Sequence, residues 1–245
     1  MKKNNEIMRL VDQLNEISFG KMADALEDLF QSKDFDSLDR VSFLDRIISP
    51  EYESRIDKKI AGRIERAGLK GCPEVIDNCK DSYERNYLPT GINDTLASMD
   101  FIRNGMNVCI LGPSDSGKTY LAKALAVQAC NEYRVSYHHF EPFLESLVAL
   151  KEKGYEKYQK KVQYYIRMDL LVLDDFLLHT ITDEREIKVL FEVMEKRNEL
   201  SKSTIVCSQR EPGSWPSMIL NDTVSSNAIM KRATKHYTVV IQSKS

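Results

Sequence analysis

Two patterns of apolar positions divide the chain. Up to about residue 70, apolar residues recur three and four positions apart, as in Ile7, Leu10, Leu14 and Ile17, which is the spacing of one helix face. From about residue 76 onward, short apolar runs alternate with longer helical segments. This change predicts a small all-helical domain over residues 1–75, followed by an α/β domain over residues 76–245.

Five short apolar runs in the second domain are predicted to form strands. Because helical segments separate them, consecutive runs should be joined by crossovers and lie mostly parallel in one sheet. The expected architecture is a five-stranded, mostly parallel sheet. The runs are NVCIL (107–111), RVSYHHF (134–140), DLLVL (169–173), STIVCS (203–208) and YTVVI (237–241).

A basic helix is predicted between Pro50 and Gly71. Ser49 and Pro50 are typical of an N-cap and a first helical position. An apolar stripe and a basic stripe run side by side along this helix, so one flank could pack on the domain while the other contacts DNA. A solvated helix face is the alternative. The basic stripe consists of Arg55, Lys59, Arg63, Arg66 and Lys70.

A phosphate-binding loop follows the first predicted strand and precedes a helix predicted over residues 120–131. Backbone N–H groups of such a loop surround phosphates. Lys118 is expected to reach the β- and γ-phosphates of ATP, and the Thr119 hydroxyl is expected to bind Mg²⁺. The predicted nucleotide-binding residues are Gly112, Pro113, Ser114, Asp115, Ser116, Gly117, Lys118, Thr119 and Tyr120.

Asp115 places a carboxylate inside this loop. The position is interpreted as one that needs a positive φ, and aspartate is among the few non-glycine residues that adopt it. Its side chain is then expected to point outward. Weakened nucleotide affinity remains the alternative.

Two further strand ends carry polar residues that suit a nucleotide site. Asp174 and Asp175 follow the strand DLLVL, and ligands bind at the carboxyl edge of such sheets. Asp174 is predicted to hold Mg²⁺, and Asp175 to orient and polarise the attacking water. Ser208 and Gln209, at the end of STIVCS, are candidates for sensing the γ-phosphate, or simply a polar strand end.

Composition excludes several classes of protein. The formal net charge is −2, so any basic surface must be local, and the five cysteines match no zinc spacing or disulfide framework. Apolar runs such as LLVL are too short to cross a bilayer, and the first ten residues lack the apolar region of a secretory signal. We therefore expect a cytoplasmic protein with no membrane partner.

A second local basic surface lies in KEKGYEKYQKKVQYYIR, residues 151–167, where tyrosines are interleaved with cations. Such local charge is enough to neutralise DNA phosphates without regard to base sequence. A solvated helix face is again the alternative. The candidate DNA-binding residues here are Lys151, Lys153, Lys157, Lys160, Lys161 and Arg167.

These motifs together resemble the AAA+ ATPases of the IstB type, helper proteins of a transposon family, and the related DnaC-like helicase loaders. The resemblance covers nearly the whole chain and implies an AAA+ P-loop fold. It also implies that residues 151–167 belong to an inserted DNA-contacting helix. It is carried by FLDRIISPEYESRIDKKIAGRIERAGL, LGPSDSGKTYLAKAL, LLVLDDF, STIVCSQREPGSWPSMILND and AIMKRATKHY.

The resemblance implies that Arg232 is an arginine finger, reaching the ATP of a neighbouring subunit in a homo-oligomer. A surface arginine is the alternative. Two departures from the family pattern concern hydrolysis. Lys231 stands where relatives usually carry an acid, and Lys244 is a poor substitute for a terminal sensor arginine.

The expected function is an ATP-dependent, Mg²⁺-dependent ATPase that assembles on double-stranded DNA and helps a transposase choose its target. Hydrolysis would drive disassembly. Three alternatives stay open: a replicative helicase loader, a nucleotide-gated architectural protein with negligible turnover, and, with a poorer fit, a small-metabolite kinase.

Overall fold

The structure is a computed structural model that describes residues 2–33, 35–219 and 223–243. The chain divides into two compact units, Met1–Gly62 and Arg63–Ser245. The boundary between the two units therefore lies earlier in the chain than the predicted boundary at residue 75. Ala67 and Leu69, which precede residue 75, are buried in the core of the second unit. The division into a DNA-binding domain and an ATPase domain at residue 75 stays a prediction.

The first unit is helical, as the apolar spacing predicts. It contains α1 (Lys2–Glu16), α2 (Gly20–Gln31) and the greater part of α3 (Arg40–Arg66). The buried residues of its core come from all three helices. They are Ile7, Val11, Ala23, Leu26, Leu29 and Ile47.

The prediction that a helix begins at Pro50 is wrong, because α3 already begins at Arg40 and Pro50 lies inside it. The cap is Asp39, whose Oδ1 accepts hydrogen bonds from the backbone N–H groups of Val41 and Ser42, at 2.9 and 3.1 Å. The Ser49 hydroxyl instead donates to Asp45, one turn back.

The same helix ends before Gly71. Gly68, with φ of 82°, follows the last turn, and the N–H groups of Gly68 and Leu69 donate to the carbonyls of Glu65 and Ile64. This pair of bonds is a Schellman motif, which terminates the helix while Leu69 enters the core.

The second unit is built around a six-stranded sheet in the order β1-β6-β2-β5-β4-β3. Strands β2 to β6 are parallel, and β1 pairs antiparallel with β6. The strands are β1 (Arg85–Leu88), β2 (Val108–Leu111), β3 (Val135–His139), β4 (Leu170–Asp174), β5 (Ser203–Ser208) and β6 (Tyr237–Ser243).

The prediction of five strands is therefore corrected to six. All five predicted runs form strands, and β1 is the addition. Its sequence RNYL is short and half polar because it lies at the sheet edge, with only Tyr87 buried among its four residues. Such a segment carries too little apolar periodicity to be recognised in isolation.

Helices cover both faces of the sheet and create a core on each side. Short 3₁₀ turns lie at Ile76–Asn78 and Pro212–Met218. All five cysteines are free thiols, and four of them are buried. The helices are α4 (Ile92–Ala97), α5 (Asp100–Arg103), α6 (Lys118–Ala129), α7 (Phe140–Lys153), α8 (Tyr155–Arg167), α9 (Glu184–Glu199) and α10 (Thr223–Ala233).

Candidate nucleotide site and basic surfaces

Four strands deliver polar residues to one edge of the sheet. In the strand register, Leu111 lies opposite Ser208, and His139 lies opposite Asp174. The phosphate loop after β2 and the acids of β4 therefore share the carboxyl edge, where ligands bind in parallel sheets.

The phosphate loop is built around two glycines that cannot be replaced freely. A Cβ on Gly112 would lie 2.6 Å from Ser116 Oγ and 2.8 Å from the carbonyl of Ile241. Gly117 has a φ of 97° and stands immediately before the first residue of α6. The loop thus turns tightly and presents the N–H groups of a helix N-terminus, which favour an anion.

Two groups in this loop support a phosphate ligand. Ser116 is fully buried, and its Oγ has no hydrogen-bond partner within the described residues. The Nζ of Lys118 donates to the carbonyl of Pro113 at 2.6 Å. Burial lowers the pKa of Lys118, although nearby acidic groups, including Asp174 and Asp175, act in the opposite direction.

The backbone of Asp115 agrees with the interpretation of its position. Its φ is 59°, in the left-handed region, and the residue is exposed. Aspartate therefore substitutes for glycine here through its tolerance of this conformation. The consequence for nucleotide affinity stays a prediction.

The two acids after β4 lie in different surroundings. Asp174 is 1% exposed, and its carboxylate accepts hydrogen bonds from the Tyr137 hydroxyl at 2.6 Å and from the N–H of Asp175 at 3.0 Å. Burial and this hydrogen bond to Asp174 raise the pKa of Tyr137. Asp175 is half-buried, with φ of 57°. Asp174 is thus held in place, whereas Asp175 remains partly open to solvent.

His139 joins these acids at the end of β3. Its Nδ1 lies 3.1 Å from Asp175 Oδ2, and one ligand atom each from His139, Asp174 and Asp175 lie within 4.8 Å of one another. Carboxylate and hydroxyl oxygens are the ligands that Mg²⁺ prefers. Asp174 and Asp175 offer carboxylate oxygens of this kind, and the binding of Mg²⁺ by Asp174 and Thr119 stays a prediction.

Tyr137 and His139 were not among the site residues predicted from the sequence. Both lie on a strand that was predicted, within RVSYHHF, and polar residues at a strand's carboxyl end were the available signal. Their pairing with β4 depends on the strand order, which the sequence does not show.

Ser208 and Gln209 differ in their availability. Ser208 is fully buried; its hydroxyl donates to the carbonyl of Phe176 at 2.8 Å and accepts from the N–H of Arg210 at 3.1 Å. These contacts tie the end of β5 to the loop after β4. Gln209 is exposed. Of the two candidate sensors, Gln209 is the one whose side chain faces solvent.

Arg232, the candidate arginine finger, lies on α10. Its guanidinium forms an ion pair with Glu195 and lies 5.4 Å from the centroid of the Phe191 ring. The side chain is 20% exposed. Reaching another subunit would require it to leave Glu195. The neighbouring Lys231 is exposed, while Lys244 lies outside the described residues.

Comparison with known proteins decides the family. The model of the IstB-like ATP-binding proteins matches residues 12–245. The chain belongs to this family. Its resemblance to IstB-type proteins is thereby confirmed, and the match extends over both compact units.

Two relatives of this family member are encoded by insertion sequences. An insertion sequence ATP-binding protein of Sinorhizobium fredii is 30% identical over 224 residues, covering 91% of this chain and 88% of the relative. The ATP-binding protein of insertion sequence IS1162 from Pseudomonas fluorescens is 32% identical over 200 residues, covering 81% and 84% of the two chains.

Solved structures confirm the AAA+ fold. The DnaC helicase loader is similar with a TM-score of 0.54 and 19% identity, covering 70% of this chain and 98% of the loader. The replication initiator DnaA, bound to AMPPCP and single-stranded DNA, is similar with a TM-score of 0.57 and 21% identity, covering 71% and 51%. At these identities the likeness shows the fold alone.

The basic stripe on α3 is partly engaged in intramolecular contacts. Arg55 pairs with Glu51 at 2.7 Å, and its guanidinium lies 4.5 Å from the centroid of the Phe19 ring. Arg63 donates to the carbonyls of Cys130 and Asn131, beyond the last residue of α6. Lys70 lies beyond the end of α3, outside the helix on which the basic stripe was predicted, and pairs with Glu65. Lys59 and Arg66 are exposed. Whether these residues contact DNA stays a prediction.

The second basic surface spans two helices, with α7 ending at Lys153 and α8 beginning at Tyr155. Of its tyrosines, Tyr158 and Tyr165 are buried in the core, and Tyr155 and Tyr164 are exposed. The cations are exposed, except for the half-buried Lys161, which lies 4.8 Å from the centroid of the Tyr165 ring. The exposed cations are Lys151, Lys153, Lys157, Lys160 and Arg167.

No helix in the described ranges is both long and apolar enough to span a membrane.

Proposed function

We propose that this protein is an ATPase that assembles on double-stranded DNA in its ATP-bound form and assists a transposase in selecting target DNA. Hydrolysis then drives disassembly. The observation that carries the proposal is the convergence of the phosphate loop with Asp174 and Asp175 at one sheet edge, in a chain whose relatives are insertion sequence ATP-binding proteins.

Each residue of the site has a role in hydrolysis. Lys118 and the loop N–H groups bind the β- and γ-phosphates. Asp175 accepts a hydrogen bond from the attacking water and polarises it. Gln209 contacts the γ-phosphate or this water. Thr119 and Asp174 would hold Mg²⁺, which would supply neutralisation of the negative charge on the phosphate oxygens.

Assembly and hydrolysis are coupled through Arg232. A guanidinium supplied by a neighbouring subunit stabilises charge on the transferred phosphoryl group, and fingers of this kind contribute about 10³- to 10⁵-fold in rate. In the isolated subunit, the guanidinium of Arg232 is held in an ion pair with Glu195 and is not available to a neighbouring subunit. Hydrolysis is therefore slow until subunits associate.

DNA contact is assigned to exposed cations of the α7–α8 surface, with a contribution from α3. Lys153 and Lys157 are both exposed and close in sequence to the exposed Tyr155. Contacts to phosphate by such side chains make binding independent of sequence and steeply dependent on salt. The transposase partner is inferred from the relatives, because a helper encoded by an insertion sequence serves the mobility of that element.

A helicase loader is the second candidate, because the DnaC helicase loader has the same fold and the fold alone does not separate the two functions. The two candidates differ in DNA preference. A transposition helper should assemble on duplex, whereas a loader should prefer single strands.

Sedimentation of the protein with matched duplex and single-stranded oligonucleotides tests the proposal. It is run with ATP, with ADP and without nucleotide, beside Lys118→Ala. Large complexes on duplex that need ATP and disappear in Lys118→Ala support the proposal. Preference for single strands favours the loader, and no complex on either DNA contradicts both.

The DNA surface is tested by combining Lys153→Glu and Lys157→Glu. We expect at least tenfold weaker duplex binding, since each lost phosphate contact removes counterion release. The matched control is the same charge change at Lys188 and Lys196 on α9, which should leave binding unchanged.

A further inference from the structure

The guanidinium of Arg85 lies against the phosphate loop. Arg85 belongs to β1, which is not adjacent to β2, the strand that leads into the loop. In the sheet order, β6 lies between β1 and β2. A Cβ on Gly117 would lie 2.8 Å from Arg85 Cζ and 2.9 Å from one of its terminal nitrogens. Only the missing side chain of Gly117 makes room for this approach.

Arg85 brings unused hydrogen-bonding capacity to this place. Its Nε is buried and has no hydrogen-bond partner among the described residues. No ion pair links its guanidinium to an acid within the ranges that the structure describes. The neighbouring Ser116 Oγ is likewise buried and unpartnered. Buried polar groups normally have partners, so two orphans at one loop indicate a missing polar ligand.

Two titratable groups close to the Arg85 guanidinium are neutral and do not replace that ligand. Its inward neighbours on β1 and the preceding turn are Tyr87 and Cys79. Burial raises the pKa of the Cys79 thiol to about 11 and also raises the pKa of the Tyr87 hydroxyl, so both are neutral at pH 7. The guanidinium charge is thus available to a ligand of the loop.

We propose that Arg85 binds the phosphate chain of the nucleotide from within the same subunit. The inference rests on the proposed nucleotide-binding function of the loop and adds a residue to it. A guanidinium is suited to this task because it offers a planar set of donors that matches two phosphate oxygens.

This role accounts for one peculiarity of the chain. Asp115 adds a negative charge to the loop, and a second cation beside Lys118 offsets it.

Calorimetric titration with ATP, ADP and AMP tests the proposal on the full chain. Arg85→Ala should weaken ATP and ADP binding about 10- to 100-fold, the equivalent of one lost charge-assisted hydrogen-bonding group. Arg85→Lys, which keeps the charge but loses the planar donors, should fall between wild type and Arg85→Ala. AMP binding should change least. Arg103→Ala, at an exposed arginine on α5, is the matched control and should bind like wild type.

Three outcomes overturn the inference. Binding of ATP by Arg85→Ala within twofold of wild type does so, as does an equal loss for all three nucleotides, which indicates a contact to the nucleoside. If Arg85→Ala does not fold by circular dichroism, Arg85→Lys decides, and binding within twofold of wild type again contradicts the inference. Failure of wild type itself to bind ATP, with Lys118→Ala indistinguishable from it, instead overturns the proposed nucleotide function.

Discussion

The imidazole of His139 and the carboxylate of Asp175 form a hydrogen-bonded pair, with 3.1 Å between Nδ1 and Oδ2. The two residues come from the ends of β3 and β4. Asp175 is thereby held in a defined orientation while its carboxylate stays accessible to water. This pair supplies orientation to the residue proposed to activate the attacking water.

Asp175→Asn should reduce the hydrolysis rate by about 100-fold or more, because an amide cannot polarise water as a carboxylate does. ATP binding and ATP-dependent assembly on DNA should persist. His139→Ala should lower kcat by about three- to tenfold through loss of orientation, with little change in ATP affinity. Steady-state phosphate release measures both, and an appreciable kcat that is unchanged in Asp175→Asn would contradict the catalytic role of Asp175. Negligible release by wild type, with a DNA function that Asp175→Asn leaves unchanged, would instead identify a nucleotide-gated architectural protein.

The Arg232–Glu195 pair leads to a prediction about assembly. Arg232→Ala should bind ATP normally but hydrolyse it about 10³-fold more slowly when assembled on DNA. Because the finger acts in a neighbouring subunit, mixing Arg232→Ala with Asp175→Asn should restore activity. In the mixture, one variant supplies the finger and the other supplies the catalytic carboxylate.

The same mixing experiment has a clear contrary result. If the mixture is no more active than the sum of its parts, Arg232 does not act between subunits. Glu195→Gln gives an independent measurement, since removing the partner of the finger should raise hydrolysis at low protein concentration.

Asp115→Asn separates the charge of this residue from its backbone conformation. Asparagine also tolerates a positive φ, so the variant should fold with an unchanged Tm. Removing the carboxylate should tighten ATP binding several-fold at low ionic strength, and less at high salt, because the residue is exposed. Titration calorimetry at two salt concentrations measures both proteins. Equal ATP affinities of wild type and Asp115→Asn at low salt would show that the carboxylate does not weaken ATP binding.

Stability should depend on pH through His138, which contacts Tyr165 on α8 with 5.0 Å between ring centroids. Burial, and secondarily the charge of Lys161, lowers the pKa of His138 from 6.5 to about 4. A depressed folded-state pKa means that the folded state prefers the neutral imidazole. The contribution of neutral His138 to the free energy of unfolding is therefore fully present above pH 6.5 and is lost as the pH falls toward 4.

Denaturant unfolding at several pH values measures this effect. The loss in free energy of unfolding attributable to His138 should reach about 3 kcal/mol at the acidic end. His138→Gln should flatten the pH dependence in this window. His179→Gln, at an exposed position, is the control and should retain the slope.

The phosphate loop and its acids were predictable because their chemistry is local. A loop between a strand and a helix, and an apolar run ending in Asp174 and Asp175, need no knowledge of the rest of the fold. The five long runs likewise form strands because their apolar content is continuous. Contacts between residues on different strands of the sheet were not predictable in this way.

The missing parts share one cause. Strand β1, Arg85 and His139 have neighbours that are distant in sequence. Polar residues at a sheet edge show no apolar periodicity, so the sequence pattern does not indicate these contacts. The Pro50 prediction was wrong for a different reason. Proline is tolerated inside α3, and Asp39, eleven residues before Pro50, already caps the helix.

The position of β6 has a consequence for how the protein is made. This strand is synthesised after every other strand of the sheet, yet it lies between β1 and β2. During translation, β1 has no partner in the sheet, and β2 exposes an unpaired edge, until β6 has left the ribosome. Nascent chains therefore carry the phosphate-loop sequence before β6 can place Arg85 beside it.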